Sequence, residues 1–228
     1  MLHLTIANKL YSSWSARPWL VLTAFGIPFE ETLIPMYQPD SKARMLAVSS
    51  SGKMPCLKDG DVTVWESLAI IEYLAEKFPD KAIWPKEAKA RAHARSAANE
   101  MHAGFQALRQ ACPMNLTKRF AKKDHGPEVA ANVARLSALW KEARALSDGQ
   151  GPFLYGAFSA ADAMYAPVVT RLDTYQLEVD AETRAYMDAV LTHPAFVAWR
   201  SAALVEPWYV PHYEEGHTPV ETFYRPQT

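Results

Sequence analysis

Apolar periodicity changes once along this 228-residue chain, and the change divides it. Before about residue 78, short runs alternate between strand and helix patterns; from residue 88 strand signals nearly vanish and Ala-rich helical stretches take over. That order predicts an α/β domain at 1–77, a linker at 78–87 with Pro79 and Pro85, and an all-α domain at 88–228. No internal repeat interrupts the division.

Leu2, Leu4 and Ile6 alternate in a first strand at 2–7, and a helix over 16–25 stops at Gly26 with Pro28 beyond it. A second strand spans 29–34, and a short helix or turn 40–48. Asp59-Gly60 between the β-prone runs 54–57 and 62–64 signals a hairpin, and 65–76 reads as a helix. The order is βαβ, loop, ββα. Further helices are expected at 88–111, 127–147, 160–173, 181–191 and 195–204. From Val205 four prolines (207, 211, 219, 226) mix with Trp208, Tyr209, Tyr213, Phe223 and Tyr224, aromatic content that predicts a tail packed on the body.

Lys and Arg total 24 against 25 Asp and Glu, so no global field draws the chain to nucleic acid or an anionic membrane. With no apolar run approaching the roughly 18 residues of a membrane helix, and no secretory signal at the N-terminus, a cytoplasmic protein is expected. Cys56 and Cys112 form no CxxC pair and no zinc spacing, so no metal is expected and free thiols fit a reducing compartment.

Three segments carry candidate chemistry. In Tyr11-Ser12-Ser13-Trp14-Ser15-Ala16-Arg17-Pro18-Trp19, the serines sit where a helix begins. Unpaired N–H groups and the positive dipole end there stabilise an anion, and a hydroxyl adds a hydrogen bond, so a bound thiol would ionise more readily. The same serines could simply cap the helix, and Pro18 falls in the first turn on this reading. Lys53-Met54-Pro55-Cys56 places a proline at a strand entrance, where a cis bond could present the Met54 backbone to a peptide lying as an extra strand. Glu66-Ser67 opens a helix and offers a charge for an ammonium and a hydroxyl for a carboxylate, or else only capping. Ser159-Ala-Ala-Asp162 fits a capping box and is assigned to folding, with Phe158 against Ala163 as a weak staple.

Taken in order, these segments resemble the cytosolic glutathione S-transferase family over residues 1–204: the βαβ–ββα domain, Met-Pro at the third strand, Glu-Ser on the third helix, the Phe153-to-Asp162 capping motif and His193-Pro-Ala-Phe-Val-Ala-Trp199. The resemblance implies a thioredoxin-like first domain, glutathione as co-substrate, a small electrophilic second substrate and a homodimer. It implies a cis Pro55 and glutathione held by Trp14, Lys53, Met54, Pro55, Glu66 and Ser67. Lys53 replaces a common glutamine and would meet the glycyl carboxylate or be solvated. Ser12 matches the family's catalytic serine, with Ser13 and Ser15 as rivals and Tyr11 as a more distant one. The serine segment is similar to the zeta and theta classes, and most similar to a bacterial group. Trp14 stands where zeta-class maleylacetoacetate isomerases carry cysteine, which counts against isomerisation. The second substrate would meet Asn99, Met101, His102, Phe105 and Arg109, which lie at i, i+3 and i+4 spacings on the long helix. Met101 and Phe105 are also candidates for core packing, whereas His102 and Arg109 could bind an acidic electrophile.

Overall fold

A computed structural model describes residues 1–147 and 149–223. Strand β1 (Leu2–Ile6) lies at the centre of a four-stranded sheet of order β2-β1-β3-β4. It pairs parallel with β2 (Phe29–Leu33) and antiparallel with β3 (Cys56–Asp59), which pairs antiparallel with β4 (Val62–Trp65). The parallel pair requires a crossover, and α1 (Ser13–Ala24) supplies it. Helices α2 (Ser41–Val48) and α3 (Ser67–Lys77) complete the unit.

Local chemistry explains each boundary. Ser12 caps α1, accepting from the Ser15 N–H. The helix ends in a Schellman arrangement: Gly26 N–H donates to Thr23 O at 3.2 Å and Ile27 N–H to Leu22 O at 2.9 Å, with Gly26 at φ 59°. A two-residue loop joins β3 to β4, since Asp59 pairs with Val62, and Gly60 takes the positive φ of 60° that the hairpin needs. Pro18 differs from the sequence expectation. Because α1 starts at Ser13, Pro18 is the sixth helical residue, in the second turn, and leaves the Trp14 carbonyl without its i+4 donor.

The second region is helical: α4 (Ala88–Ala103), α5 (Gln106–Ala111), α6 (Pro127–Ala145), α7 (Ala160–Thr174), α8 (Ala181–Thr192) and α9 (Pro194–Ala203). The helix expected over 88–111 is two helices. Gly104 ends the first, and Phe105 turns the chain through φ 59°. A Cβ at Gly104 would lie 2.7 Å from the Glu100 carbonyl oxygen, so the break needs glycine there. Two short strands add to the helices: β5 (Lys118–Phe120) pairs antiparallel with β6 (Pro219–Thr222) in the tail.

Helix α7 is buried along almost its whole length and packs on both α1 and α4, welding the sheet unit to the helices. Its capping box forms as expected: Asp162 accepts from Ser159 N–H at 2.8 Å, Ser159 Oγ at 2.9 Å and Leu154 N–H at 3.1 Å. Phe158 stacks on His193 at 4.1 Å and meets Phe153 edge-on. Ile83 and Trp84, in the stretch after α3, are buried in the core.

The tail packs on the body. Glu206 accepts from the Lys9 and Leu10 N–H groups at 2.8 and 3.4 Å, Tyr213 stacks on Tyr11 at 5.2 Å, and Glu214 is bonded by Tyr11, Thr117 and Lys118. Tyr224 and Pro226 lie outside the described residues.

Candidate functional site

A cavity of about 550 Å³ opens where the β1–α1 loop, the loop before β3, the start of α3 and α4 meet; its walls include Ser12, Trp14, Lys53, Met54, Pro55, Glu66 and His102. Three segments separated in sequence therefore share one wall. A depression of about 720 Å³ beside residues 122–137 and 176–180 contains none of the residues singled out from sequence.

The serines divide by role. Ser12, buried like its neighbours, is a lining residue of the cavity at the open end of α1, and its Oγ donates to Ser15 Oγ at 2.9 Å. Ser15 is fully buried and accepts the Ala7 N–H at 3.0 Å, so it ties α1 to β1 behind Ser12. Ser13 is buried as the first residue of α1 and is absent from the cavity wall. Tyr11 points elsewhere: its hydroxyl donates to Glu214 at 3.3 Å and receives the Val210 N–H at 3.5 Å, and burial pushes its phenol well up.

The Met54–Pro55 bond is cis, and β3 pairing begins only at Cys56. Glu66 holds φ 70° and ψ 128°, a conformation costly for any residue with a Cβ, and makes no side-chain capping bond to α3. The first N–H groups of α3 thus lack a side-chain cap beside the buried Ser67 hydroxyl. Lys53 is an exposed cation at the rim.

Of the residues expected at a second-substrate site, His102 alone lines this cavity. Its Nε2 lies 3.9 Å from Glu66 Oε2, and burial followed by the Arg17 charge holds its imidazole below the ordinary value. Asn99 is exposed and donates back to Arg95 O. Met101 is fully buried and Phe105 is buried at the helix break, so both serve packing. Arg109 falls on α5 rather than α4 and donates to the carbonyls of Met101 and Gly104, satisfying the groups that the break frees.

Sequence reasoning missed Arg17. It is fully buried, donates to Ser67 Oγ at 3.2 Å and Met101 Sδ at 3.4 Å, and lies 4.1 Å from the Trp14 ring centroid. A charged residue among the otherwise apolar and small positions of α1 was the available signal.

Two family models match: the glutathione S-transferase N-terminal domain over residues 11–77 and the glutathione S-transferase C-terminal domain over 92–202. The chain is 36% identical over 104 residues to a probable maleylacetoacetate isomerase of Caenorhabditis elegans, covering 43% of this chain and 48% of that one. It is 33% identical over 112 residues to glutathione S-transferase 1 of Dianthus caryophyllus, covering 47% and 51%. Those matches span about half the length of each relative. In fold, a Burkholderia glutathione transferase homolog with bound glutathione superposes at a TM-score of 0.68 and 20% identity, over 89% of this chain and 97% of that one.

Proposed function

Because the chain belongs to the glutathione S-transferase family, we propose that it binds glutathione in the cavity at the start of α1 and transfers its thiolate to a small electrophile or peroxide. The observation that carries this reading is Ser12 on the cavity wall, at the dipole-positive end of α1, lining the same space as Met54, Pro55 and Glu66. The peptide lies along Met54 as an added strand, with its γ-glutamyl carboxylate at Ser67 and the uncapped N–H groups of α3. Its ammonium meets Glu66, and its glycyl carboxylate meets Lys53. Trp14 forms the apolar side of the cavity.

On binding, the thiol gives its proton to solvent and the Ser12 hydrogen turns from Ser15 Oγ to stabilise the thiolate. The thiolate bonds to the electrophilic carbon as the leaving group departs with its electron pair, or to a peroxide oxygen as the O–O bond breaks to give a sulfenic acid and an alkoxide that takes a proton from solvent. Ser15 positions Ser12, its own oxygen held by the Ala7 N–H. Conjugation of a chloronitroaromatic, lost in Ser12→Ala, is the test; binding of glutathione without turnover would instead make the chain a scaffold of the same fold. A glutathione-dependent isomerase is the second reading, favoured by the similarity to the nematode protein and weakened by Trp14 in the place of cysteine. We further place the protein in the cytoplasm as a homodimer. Two unpaired cysteines support that compartment, and no described helix is long and apolar enough to cross a membrane.

A further inference from the structure

The turn that carries the chain from β1 into α1, residues 8–12, closes on one carbonyl: Asn8 O accepts the Ser12 N–H at 2.8 Å and the Tyr11 N–H at 3.4 Å. The N–H groups of Lys9 and Leu10 lie outside that closure, and both residues are buried. Glu206, from the tail, takes both of them: Oε1 accepts from Lys9 at 2.8 Å and Oε2 from Leu10 at 3.4 Å. Asn8 also reaches a second part of the cavity wall, since its Oδ1 accepts the Met36 N–H at 2.7 Å and Met36 lines the cavity with Ser12. One turn thus sets two lining residues, and two oxygens of a tail carboxylate orient the turn.

Glu206 is an expensive way to attach a tail. It is itself buried, and burial raises its carboxyl, opposed by the Lys9 and Leu10 N–H groups and by the Lys9 charge. The tail has other anchors that need no buried acid at that point: Tyr213 stacks on Tyr11, and β6 pairs with β5. The Lys9 side chain is likewise held elsewhere, by Glu31 and over the rings of Trp19 and Trp199. What the carboxylate adds is direction, because two oxygens at a fixed spacing accept from two successive N–H groups. The Ser12 hydroxyl has no bond to the tail and, outside the turn's own backbone, bonds only to Ser15. Its place therefore follows the backbone of the turn.

We propose that Glu206 is a positioning residue for Ser12, so that the tail, through this one carboxylate, sets how well the bound thiolate is stabilised. The role rests on the transferase reading of the Ser12 cavity. Without Glu206 the two buried N–H groups must turn to other acceptors, and the loop tilts with them. A hydroxyl displaced by about an ångström no longer meets the sulfur squarely. Glutathione's remaining contacts, at Met54, Glu66 and Ser67, lie on other elements and stay in place. The expected signature is thus a loss in kcat with KM for glutathione unchanged.

The test is a double-mutant cycle in the full chain, read by kcat and KM for glutathione with a chloronitroaromatic and by thiolate absorbance of the glutathione complex across pH. Glu206→Ala should lower kcat near pH 6.5 by about tenfold or more, and move the pH of thiol ionisation up by about one. Glu206→Gln keeps an acceptor oxygen for Lys9 and should recover part of both; it carries the same readings if the alanine variant fails to fold. In the Ser12→Ala background, Glu206→Ala should add nothing to the ionisation shift, because the group it positions is gone. Glu221→Ala, which removes the tail's contact with Arg119 far from the turn, should leave both readings unmoved. Ser12→Ala shifting the ionisation while Glu206→Ala and Glu206→Gln leave it unmoved overturns the proposal and spares the transferase reading. So does a Glu206→Ala shift that is equally large in both backgrounds. Activity lost only in proportion to the glutathione sites lost, with ionisation unchanged in those remaining, makes Glu206 a structural clamp and also overturns it. If Ser12→Ala itself has no effect, the Ser12 chemistry falls and the positioning role falls with it.

Discussion

Replacing Ser12 by alanine tests the chemistry most directly. The Ser12 hydroxyl is the one serine oxygen at the cavity wall; Ser15 stands 2.9 Å behind it, fully buried and engaged by the Ala7 N–H, and cannot take its place. A hydrogen bond to a charged partner contributes about 1.5–3 kcal/mol, and about 1.4 kcal/mol changes an ionisation constant tenfold. Losing it should move the pH at which the bound thiol ionises up by about one to two, and lower kcat/KM near pH 6.5 by about tenfold to a hundredfold. The sign is specific: the thiolate is the charged form, so its loss hurts at low pH and the variant catches up in alkali. Folding should suffer little, about 0.5–1 kcal/mol, because the capping bond to Ser15 N–H is long at 3.3 Å. The assay is kcat/KM for a chloronitroaromatic across pH, paired with thiolate absorbance of the glutathione complex. An unmoved profile in Ser12→Ala refutes the mechanism; a shifted profile in Ser13→Ala alone gives the role to Ser13.

Four further outcomes are expected. Asp162→Ala strands the Ser159 and Leu154 N–H groups in the core and should cost about 3 kcal/mol or more in urea denaturation, with alanine at the exposed Asp61 as the neutral control. Burial raises the Asp162 carboxyl to about 6 in the native state, so the native chain keeps a proton that the unfolded chain releases near pH 4. Its share of stability is present below about pH 4 and lost as pH rises through about 6, a slope that Asp162→Asn should flatten. Glu206→Ala leaves two buried N–H groups unpaired and should speed hydrogen exchange at Lys9 and Leu10 by at least about tenfold, whereas unchanged exchange would show that the tail does not hold that loop. Sedimentation at micromolar concentration should give twice the chain mass; a monomer at all concentrations excludes the proposed homodimer.

Local signals made the sheet unit and the start of α7 legible. Gly26, Asp59-Gly60 and Ser159-to-Asp162 each specify their own turn or cap within a few residues, and the structure uses all three. The α4–α5 break was visible only as Gly104; propensity favours continuing an Ala-rich helix, and tertiary packing of Phe105 overrode it. The β5–β6 pair could not be seen, because three residues at 118–120 find their partners about a hundred positions later. At the site, residue types and order could be read, but register could not. Ser12, Ser13 and Ser15 are chemically alike and all buried, and only the helix start at Ser13 puts Ser12, not the other two, on the cavity wall. Arg17 was overlooked because its partners lie on α3 and α4, 50 and 84 positions away.

The tail's grip on the opening loop has a consequence for how the protein is made. Glu206 lies 197 positions after Lys9, and Glu214 203 after Tyr11, yet both close on the turn that delivers Ser12. Synthesis runs from the N-terminus, and contacts so remote in sequence are the slowest to form. The first helix can meet the sheet early, but the loop that leads into it waits for residues that leave the ribosome much later. The turn that delivers Ser12 is therefore closed only once the tail has emerged.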